Sequence, residues 1–168
     1  MIREFSSKSP QIAPSAFVSE AAYIVGNVEI GENSNVWPGA VIRADFGKII
    51  IGSNTSIEDN CVMHGATDVT IGDNTIIGHG AVIHCHRIGN NVLVGNNATI
   101  LDGAEVGDFC IIGAGSVVVP ATKIPDRSLA VGVPARIKSR LSPQQLDELK
   151  LGSDIYTKLA QEYKRQSL

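Results

Sequence analysis

The chain has 168 residues and a net charge of −3, with 18% charged and only 5% aromatic residues. This length suffices for one domain with a sizeable core, and the lack of a basic run argues against a nucleic-acid partner. No apolar span of about 18 residues occurs, so we expect no membrane helix. The three cysteines follow no disulfide spacing, and the first residues lack the apolar core of a signal peptide. We therefore expect a cytoplasmic protein.

An aliphatic residue recurs every six positions along most of the chain. The series is Ile12, Val18, Ile24, Ile30, Val36, Ile42, then, after three extra residues, Ile51, Ile57, Met63, then, after two extra residues, Ile71, Ile77, Ile83, and, after one missing residue, Ile88, Val94, Ile100, Val106, Ile112, Val118, Ile124, Ala130. A period of six matches neither a helix nor an alternating strand. It predicts short strands separated by turns, which Gly, Asn and Asp supply in "IGEN", "IGSN", "IGDN" and "IGNN".

Three hexads make one coil of about 18 residues, and successive coils stack at the strand spacing of about 4.8 Å. We expect the extra residues to bulge outward as loops without the loss of a face, because that keeps the core in register. All four histidines lie between Cys61 and Ile88. Counting hexads places Arg43, His64 and His84 at equivalent outward positions on successive coils. His64 and His84 are therefore predicted to bind one metal ion, since imidazole is a common zinc ligand.

The third histidine of this group lies on the preceding face. There Asp59, His79 and Asn96 form a second vertical stack, and the reach from His79 to the other two histidines looks poor within one subunit. A neighbouring subunit could bring its His79 against the edge that carries His64 and His84. Three such head-to-tail contacts close a ring, so the sequence predicts a homotrimer with metal sites shared between subunits.

The chain after the repeats is predicted to be helical. Ser142 is a typical N-cap, Pro143 suits the first helical position, and Gln145 completes a capping box. We expect Gly152 to interrupt the helix and a second segment to reach about Gln166. The predicted division is a β-helix domain over residues 1–140 and a helical segment over residues 141–168. The apolar stripe expected to pack on the β-helix comprises Leu146, Leu149, Ile155, Leu159 and Tyr163.

The repeats resemble those of the hexapeptide-repeat family, whose all-β fold is a left-handed parallel β-helix of triangular section. Four motifs are similar to those of the γ-class carbonic anhydrases and their bacterial relatives in the phenylacetate-degradation and carnitine-operon subgroup. These motifs are "RADFG" with Arg43 and Asp45, "EDNCVMHG" with Asp59 and His64, "GHGAVIH" with His79 and His84, and "VGNNATILDGA" with Asn97 and Asp102. The resemblance implies that His64, His79 and His84 are the metal ligands, with His79 donated across a trimer interface.

The resemblance also implies a reaction and its residues. The reaction is the reversible hydration of CO2 to bicarbonate by a hydroxide that Zn2+ generates from water, with Fe2+ or Co2+ as alternative metals. The candidate catalytic residues are Arg43, Asp45, Glu58, His86 and Asn97. Asp45 could orient the metal-bound water, and Arg43 could pair with Asp45 or Asp59. Glu58 replaces the family's usual Gln, and His86, in an unusual "HCH", is either a proton shuttle or a loop histidine.

Other functions stay open at this point. Hexapeptide acyltransferases share the fold but use a lone histidine, and the resemblance to the phenylacetate and carnitine subgroup keeps an acyl-CoA thioesterase in consideration. A metal-binding trimer with weak catalysis is the third alternative, favoured by Glu58 and by the absence of the family's acidic loop after His64. Among the thiols, Cys61 and Cys110 are predicted to lie in the core, whereas Cys85, which two histidines flank, could face the metal site without being a ligand.

Overall fold

The computed structural model describes residues 1–167 as a stack of short strands followed by one helix. The strands are β1 (Ile2–Arg3), β2 (Gln11–Ile12), β3 (Phe17–Val18), β4 (Tyr23–Ile30), β5 (Asn35–Val36), β6 (Val41–Ile51), β7 (Ser56–Ile57), β8 (Val62–His64), β9 (Val69–Ile71), β10 (Ile76–Ile77), β11 (Val82–Ile83), β12 (Arg87–Ile88), β13 (Leu93–Val94), β14 (Thr99–Ile100), β15 (Glu105–Val106), β16 (Ile111–Ile112), β17 (Val117–Val118), β18 (Lys123–Ile124), β19 (Ser128–Val131) and β20 (Arg136–Arg140). The helix, α1, spans Pro143–Gln166. Over residues 1–167, no helix combines the length and the apolar character needed to cross a membrane.

The strands form three parallel stacks around one aliphatic core. The histidine face consists of the first part of β6 with β8, β11, β14 and β17, and the open face consists of the last part of β6 with β9, β12, β15 and β18. The helix face runs from β3 through β5, β7, β10, β13 and β16 to β19, where β20 adds an antiparallel strand. Ile42, Met63, Ile83 and Ile100 lie in register and are fully buried. The predicted parallel β-helix with a C-terminal helix is confirmed.

The repeated turn has a physical reason for two of its recurring residues. The final Asn of the four copies, at positions 33, 54, 74 and 91, has a positive φ of 57°, 54°, 53° and 53° respectively, a conformation that Asn tolerates better than most residues. The Gly permits the close approach of coils. A β-carbon added at Gly31 would lie 2.6 Å from the carbonyl carbon of Gly52 on the next coil.

The three extra residues after Ile42 do not form the outward loop that the sequence predicts. Strand β6 continues without a break through them and turns from the histidine face to the open face. Its middle residue Phe46 protrudes with 73% of its surface exposed. The expectation that no face is lost is confirmed, because Ile42 pairs with Met63 and Ile51 pairs with Ile71.

The helix begins as the sequence predicts. The Ser142 side chain accepts a hydrogen bond from the Gln145 N–H, and the Ser142 N–H donates to Gln145 Oε1. The predicted interruption at Gly152 is wrong, since α1 is continuous. A β-carbon at Gly152 would lie 3.0 Å from Ile76 Cδ1, so the glycine permits close packing on the helix face.

The predicted apolar stripe is wrong in part. Ile155 and Leu159 are 64% and 41% exposed, whereas Leu149, Ser153 and Ala160 are the buried residues of α1. An unbroken helix changes which residues face the core after Gly152. Small side chains then let α1 lie close to the β-helix near β3, β5 and β7.

Candidate metal centre

The two stacked histidines lie where hexad counting places them. His64 ends β8 and pairs with Arg43 of β6, and His84 directly follows β11, whose register with β8 sets it one coil beyond His64. His64 Nδ1 and His84 Nε2 are 3.2 Å apart. Two ligands of a tetrahedral zinc, each with a Zn–N distance of about 2.0–2.1 Å, lie about 3.3 Å apart. The pair therefore has the separation that one metal ion requires.

Each ring of the pair is held by a carboxylate on its outer nitrogen. His64 Nε2 lies 2.9 Å from Asp45 Oδ1, and His84 Nδ1 lies 2.8 Å from Asp102 Oδ1. A carboxylate can only accept, so in the neutral form of each ring the proton lies on the outer nitrogen and the inner nitrogen presents its lone pair. Two lone pairs facing each other at 3.2 Å are stabilised by a cation between them. Carboxylates on the outer nitrogens of metal-binding histidines are a common arrangement.

Arg43 pairs with Asp45 rather than with Asp59, which resolves the two possibilities left by the sequence. Burial opposes the charge of Asp45, but hydrogen bonds from His64 and Arg43 outweigh it. The pKa of Asp45 therefore lies below its ordinary value. Asp45 is thus a permanent carboxylate near neutral pH, able to hold His64 in one orientation.

His79 lies on the helix face, away from the other two histidines. It stacks with Asp59 as predicted, with its Nδ1 3.0 Å from Asp59 Oδ2 and its Nε2 2.7 Å from Glu58 Oε2. The side chain is about half exposed. Over residues 1–167, no three His, Cys, Asp or Glu side chains converge closely enough to hold a metal ion. Within one chain, the pair of His64 and His84 therefore has no third ligand of these types among the described residues.

Glu58 is almost fully buried, at 2% exposure, beside His79 and not beside the other two histidines. Burial raises the pKa of this carboxyl above its ordinary value, although interactions with Tyr156 and His79 oppose the rise. Burial and the Glu58 charge raise the pKa of Tyr156 to about 12. Helix α1 thus contributes Tyr156 to the surroundings of His79.

The predicted catalytic residues do not all gather around the pair. Asn97 is a turn residue with a φ of 57°, and its N–H donates to the His79 carbonyl. His86 is exposed in the turn after β11, two residues from His84. Cys85 lies in the core rather than toward the site, and burial raises the pKa of its thiol to about 12. Cys61 and Cys110 are fully buried, as predicted.

The sequence analysis assigns no role to two residues that contact the pair of His64 and His84. Asp102 belongs to one of the matching motifs, and in the structure it holds His84 from the following coil. Phe46 lies with its ring centroid 5.6 Å from that of His64. The six-residue register places His84 beside Leu101 on the following coil. The next residue, Asp102, could therefore have been predicted from the sequence to lie close to His84. The position of Phe46 depends on the continuous path of β6, which the hexad count does not give.

Known proteins resemble this chain over most of its length. Residues 86–120 match the family model of bacterial transferase hexapeptide (six repeats). A probable carbonic anhydrase of Methanocaldococcus jannaschii is 47% identical over 152 residues, which cover 89% of this chain and 96% of that protein. Carnitine operon protein CaiE of Escherichia coli K12 is 37% identical over 157 residues, which cover 92% of this chain and 80% of that protein. A solved structure of a hexapeptide transferase family protein from Anaplasma phagocytophilum has a TM-score of 0.94 at 31% identity and covers 96% of this chain and 97% of that one.

Proposed function

Because the chain belongs to the family of hexapeptide-repeat proteins that includes γ-carbonic anhydrases and CaiE, we propose that it is a metal-dependent enzyme that hydrates CO2 reversibly to bicarbonate. The observation that carries this proposal is the pair of inner nitrogens of His64 and His84, 3.2 Å apart with both outer nitrogens on carboxylates. The 47% identical relative from Methanocaldococcus jannaschii, a probable carbonic anhydrase, supports the choice of reaction.

The third ligand in this proposal is His79 of a second copy of the chain. Half of the His79 side chain is exposed, and its two nitrogens contact the carboxylates of Glu58 and Asp59. In this proposal one nitrogen exchanges its carboxylate for the metal, and the other keeps its carboxylate, as metal-binding histidines commonly do. Beside the pair, the histidine face presents Val62 and Val82, which are 42% and 37% exposed and lie in register. An apolar surface next to an incomplete set of ligands suits coverage by another subunit. A head-to-tail contact that closes after three copies makes a homotrimer.

The donor set fits a small divalent metal. Three neutral imidazoles and an open fourth position are typical of catalytic zinc, and the same donors accept Fe2+ or Co2+. When bound, the metal acts as a Lewis acid that makes hydroxide available near neutral pH. In this role Asp45 and Asp102 fix the rings of His64 and His84, and Arg43 holds Asp45.

Phe46 and His86, which lie near the pair of His64 and His84, have two further roles in the proposal. Phe46 covers one side of His64 with an apolar ring, so it excludes water from that side and favours the apolar CO2 molecule. His86 is exposed two residues from His84. It can take a proton released at the site and pass it to solvent, since imidazole exchanges protons near neutral pH.

The second candidate function is hydrolysis of an acyl thioester or transfer of an acyl group at the same site. It is favoured by the 0.94 TM-score to a hexapeptide transferase family protein. The buried Glu58 beside His79 favours a third candidate, a metal-binding trimer with weak catalysis, because a carboxylate there disfavours hydroxide formation.

The test is metal content and CO2 hydration measured on one anaerobically purified sample. About one metal ion per chain, with a stopped-flow hydration rate that disappears with a chelator and returns with metal, is the expected result. Metal without hydration would reject the CO2 reaction and transfer support to acyl chemistry or to weak catalysis. A protein that binds no metal would overturn the proposal.

A further inference from the structure

The last strand, β20, lies at the C-terminal end of the stack with one edge free. It pairs with β19 on one side only and is the terminal strand of the sheet on the helix face. All five of its residues are exposed. Among residues 1–167, no backbone group pairs with its other edge. A free edge presents unpaired N–H and C=O groups, to which an extended chain can add as a further strand.

The chain around this strand is strongly basic. The segment from Arg127 to Arg140 contains four cationic residues and neither Asp nor Glu, and because the whole chain has a net charge of −3, the remainder carries −7. All four cations are exposed. None of them forms an ion pair with a described residue, whereas Lys123 on the open face pairs with Glu105. The four cations are Arg127, Arg136, Lys138 and Arg140.

The register of β20 brings these charges together. Arg140 pairs with Ser128, the residue that follows Arg127, and the Leu141 N–H donates to the Arg127 carbonyl. The two arginines therefore lie side by side. Lys138 has no partner on β19, because the register shifts at that point. One exposed strand and the turn beside it thus carry all four cations.

Charged side chains and bulges commonly protect a free strand edge against aggregation. Here the protection is selective, because every charge has the same sign. Two copies of β20 would place eight positive charges against each other, and like charges on adjacent strands are destabilising. An acidic strand meets the opposite condition, since its carboxylates would lie against unpaired cations. Charge complementarity therefore favours an acidic partner for this edge.

A groove of about 500 Å³ lies beside β20 at the end of the β-helix. Ile137 of β20 contributes an apolar surface that is 51% exposed. The groove contains one carboxylate among its described lining residues, Asp126, whose Oδ1 accepts the Asp108 N–H. Strands that add to a sheet edge commonly place alternate side chains in such depressions. The lining comprises Pro125, Asp126, Ser128, Ile137 and Arg140.

We propose that β20 is a docking edge for an extended acidic peptide segment of another protein. The segment pairs through its backbone with the free edge, its carboxylates lie against the four cations, and one apolar side chain enters the groove. The proposal goes beyond the hydration of CO2, and it depends on neither a bound metal nor an assembled trimer.

The test is a fluorescence anisotropy titration of the full-length protein into a labelled peptide that alternates Glu and Val and is about seven residues long. We expect saturable binding at physiological ionic strength. The same peptide with every backbone nitrogen methylated keeps its charge but loses its N–H donors, so it should bind about tenfold more weakly or worse. Hydrogen exchange of the β20 amides should slow when the unmethylated peptide binds. No saturable binding, equal affinity for the methylated peptide, or unchanged exchange in β20 would overturn the proposal.

Two further comparisons separate this edge from a general anion surface. A peptide that alternates Lys and Val should not bind. An oligothymidylate of similar charge should bind at least about tenfold more weakly than the acidic peptide, because it has no backbone N–H groups to pair with the edge. Binding of the oligothymidylate as tight as that of the acidic peptide would reject the proposal in favour of a nonspecific polyanion surface.

Matched charge reversals locate the site. The double variant Arg136→Glu with Lys138→Glu should weaken binding of the acidic peptide about tenfold or more. The double variant Lys8→Glu with Lys158→Glu changes the net charge equally at two exposed positions outside β20. It should change the affinity about twofold or less, because charges beyond a Debye length are screened. Equal losses in the two double variants would reject β20 as the site. None of these readouts uses CO2 or a metal, so failure here and failure of the proposed reaction are separate results.

Discussion

Asp102 Oδ1 accepts a hydrogen bond from His84 Nδ1 at 2.8 Å, although the two residues lie on consecutive coils. The contact fixes the proton on the outer nitrogen of His84 and leaves the inner nitrogen free to bind a cation. The parallel register that stacks Ile83 on Ile100 brings the two side chains together. This pair is the first target for mutation.

Asp102→Ala should lower zinc affinity about 10- to 100-fold, because carboxylates that orient metal-binding histidines typically contribute that much. Competition with a chromogenic chelator measures the affinity. Asp147→Ala is the matched control, since Asp147 is an exposed acid of α1 that pairs with Lys150 and lies outside the candidate metal centre. An Asp102→Ala protein with unchanged zinc affinity would contradict the role assigned to this carboxylate.

A shared metal site predicts complementation between two inactive variants. His64→Ala and His79→Ala should each lose stoichiometric metal when purified alone. In trimers assembled from an equal mixture, about one quarter of the interfaces combine an intact His64 with an intact His79, because each interface takes one residue from each chain. Metal analysis of refolded mixtures should recover about that fraction. Recovery of none would place all ligands within one chain.

Charge placed on the histidine face should dissociate the trimer. Val62 is 42% exposed beside His64, and Val62→Asp would bury a carboxylate in the proposed interface. We expect light scattering to change from about three times the 17.8 kDa chain mass to a single chain, with an unaltered β-sheet spectrum. Thr70→Asp, an outward substitution on the open face, should leave the mass unchanged. A trimeric Val62→Asp protein would locate the interface elsewhere.

Glu58→Gln should raise the rate of CO2 hydration at neutral pH. Glu58 Oε2 lies 2.7 Å from His79 Nε2, and a negative charge near the metal disfavours the formation of hydroxide. Removing that charge should also move the midpoint of the pH–rate profile to lower pH. Stopped-flow rates across pH, normalised to metal content, measure both effects. A lower rate would mean that the carboxylate assists the reaction.

The three thiols should be unreactive in the folded protein. Burial raises the pKa of Cys61 to about 11 and that of Cys85 to about 12, and it also raises the pKa of Cys110. Each pKa is raised, so the reactive thiolate is scarce at pH 8 and becomes abundant only at much higher pH. A chromogenic thiol reagent should detect no thiol in the native protein and three in guanidinium chloride. Rapid reaction of one native thiol would contradict the buried position of all three.

The sequence predicts most of the fold because one signal determines it. The six-residue period identifies the core positions, and each Asn with a positive φ closes a turn at a fixed place. The stacking of His64 and His84 follows from that register, so hexad counting alone is enough to predict the pair. The contact between Asp59 and His79 follows from the same register.

Other features depend on tertiary packing, which the six-residue period does not predict. Helix α1 is buried through Ser153 and Ala160, small side chains that a hydrophobic pattern does not distinguish from surface residues. The position of Tyr156 near His79 depends on how α1 lies on the helix face. Phe46 reaches His64 because β6 is continuous where extra residues suggested a loop.

The stacking of His64, His84 and Asp102 on three consecutive coils restricts how a protein of this kind can change in length. A whole coil inserted between His64 and His84 would move them about 9.6 Å apart along the stack, too far for one metal ion to bind both. A coil inserted after Ile112 would lengthen the molecule and leave these three residues in place. Insertion or deletion of a whole coil is therefore excluded between His64 and His84.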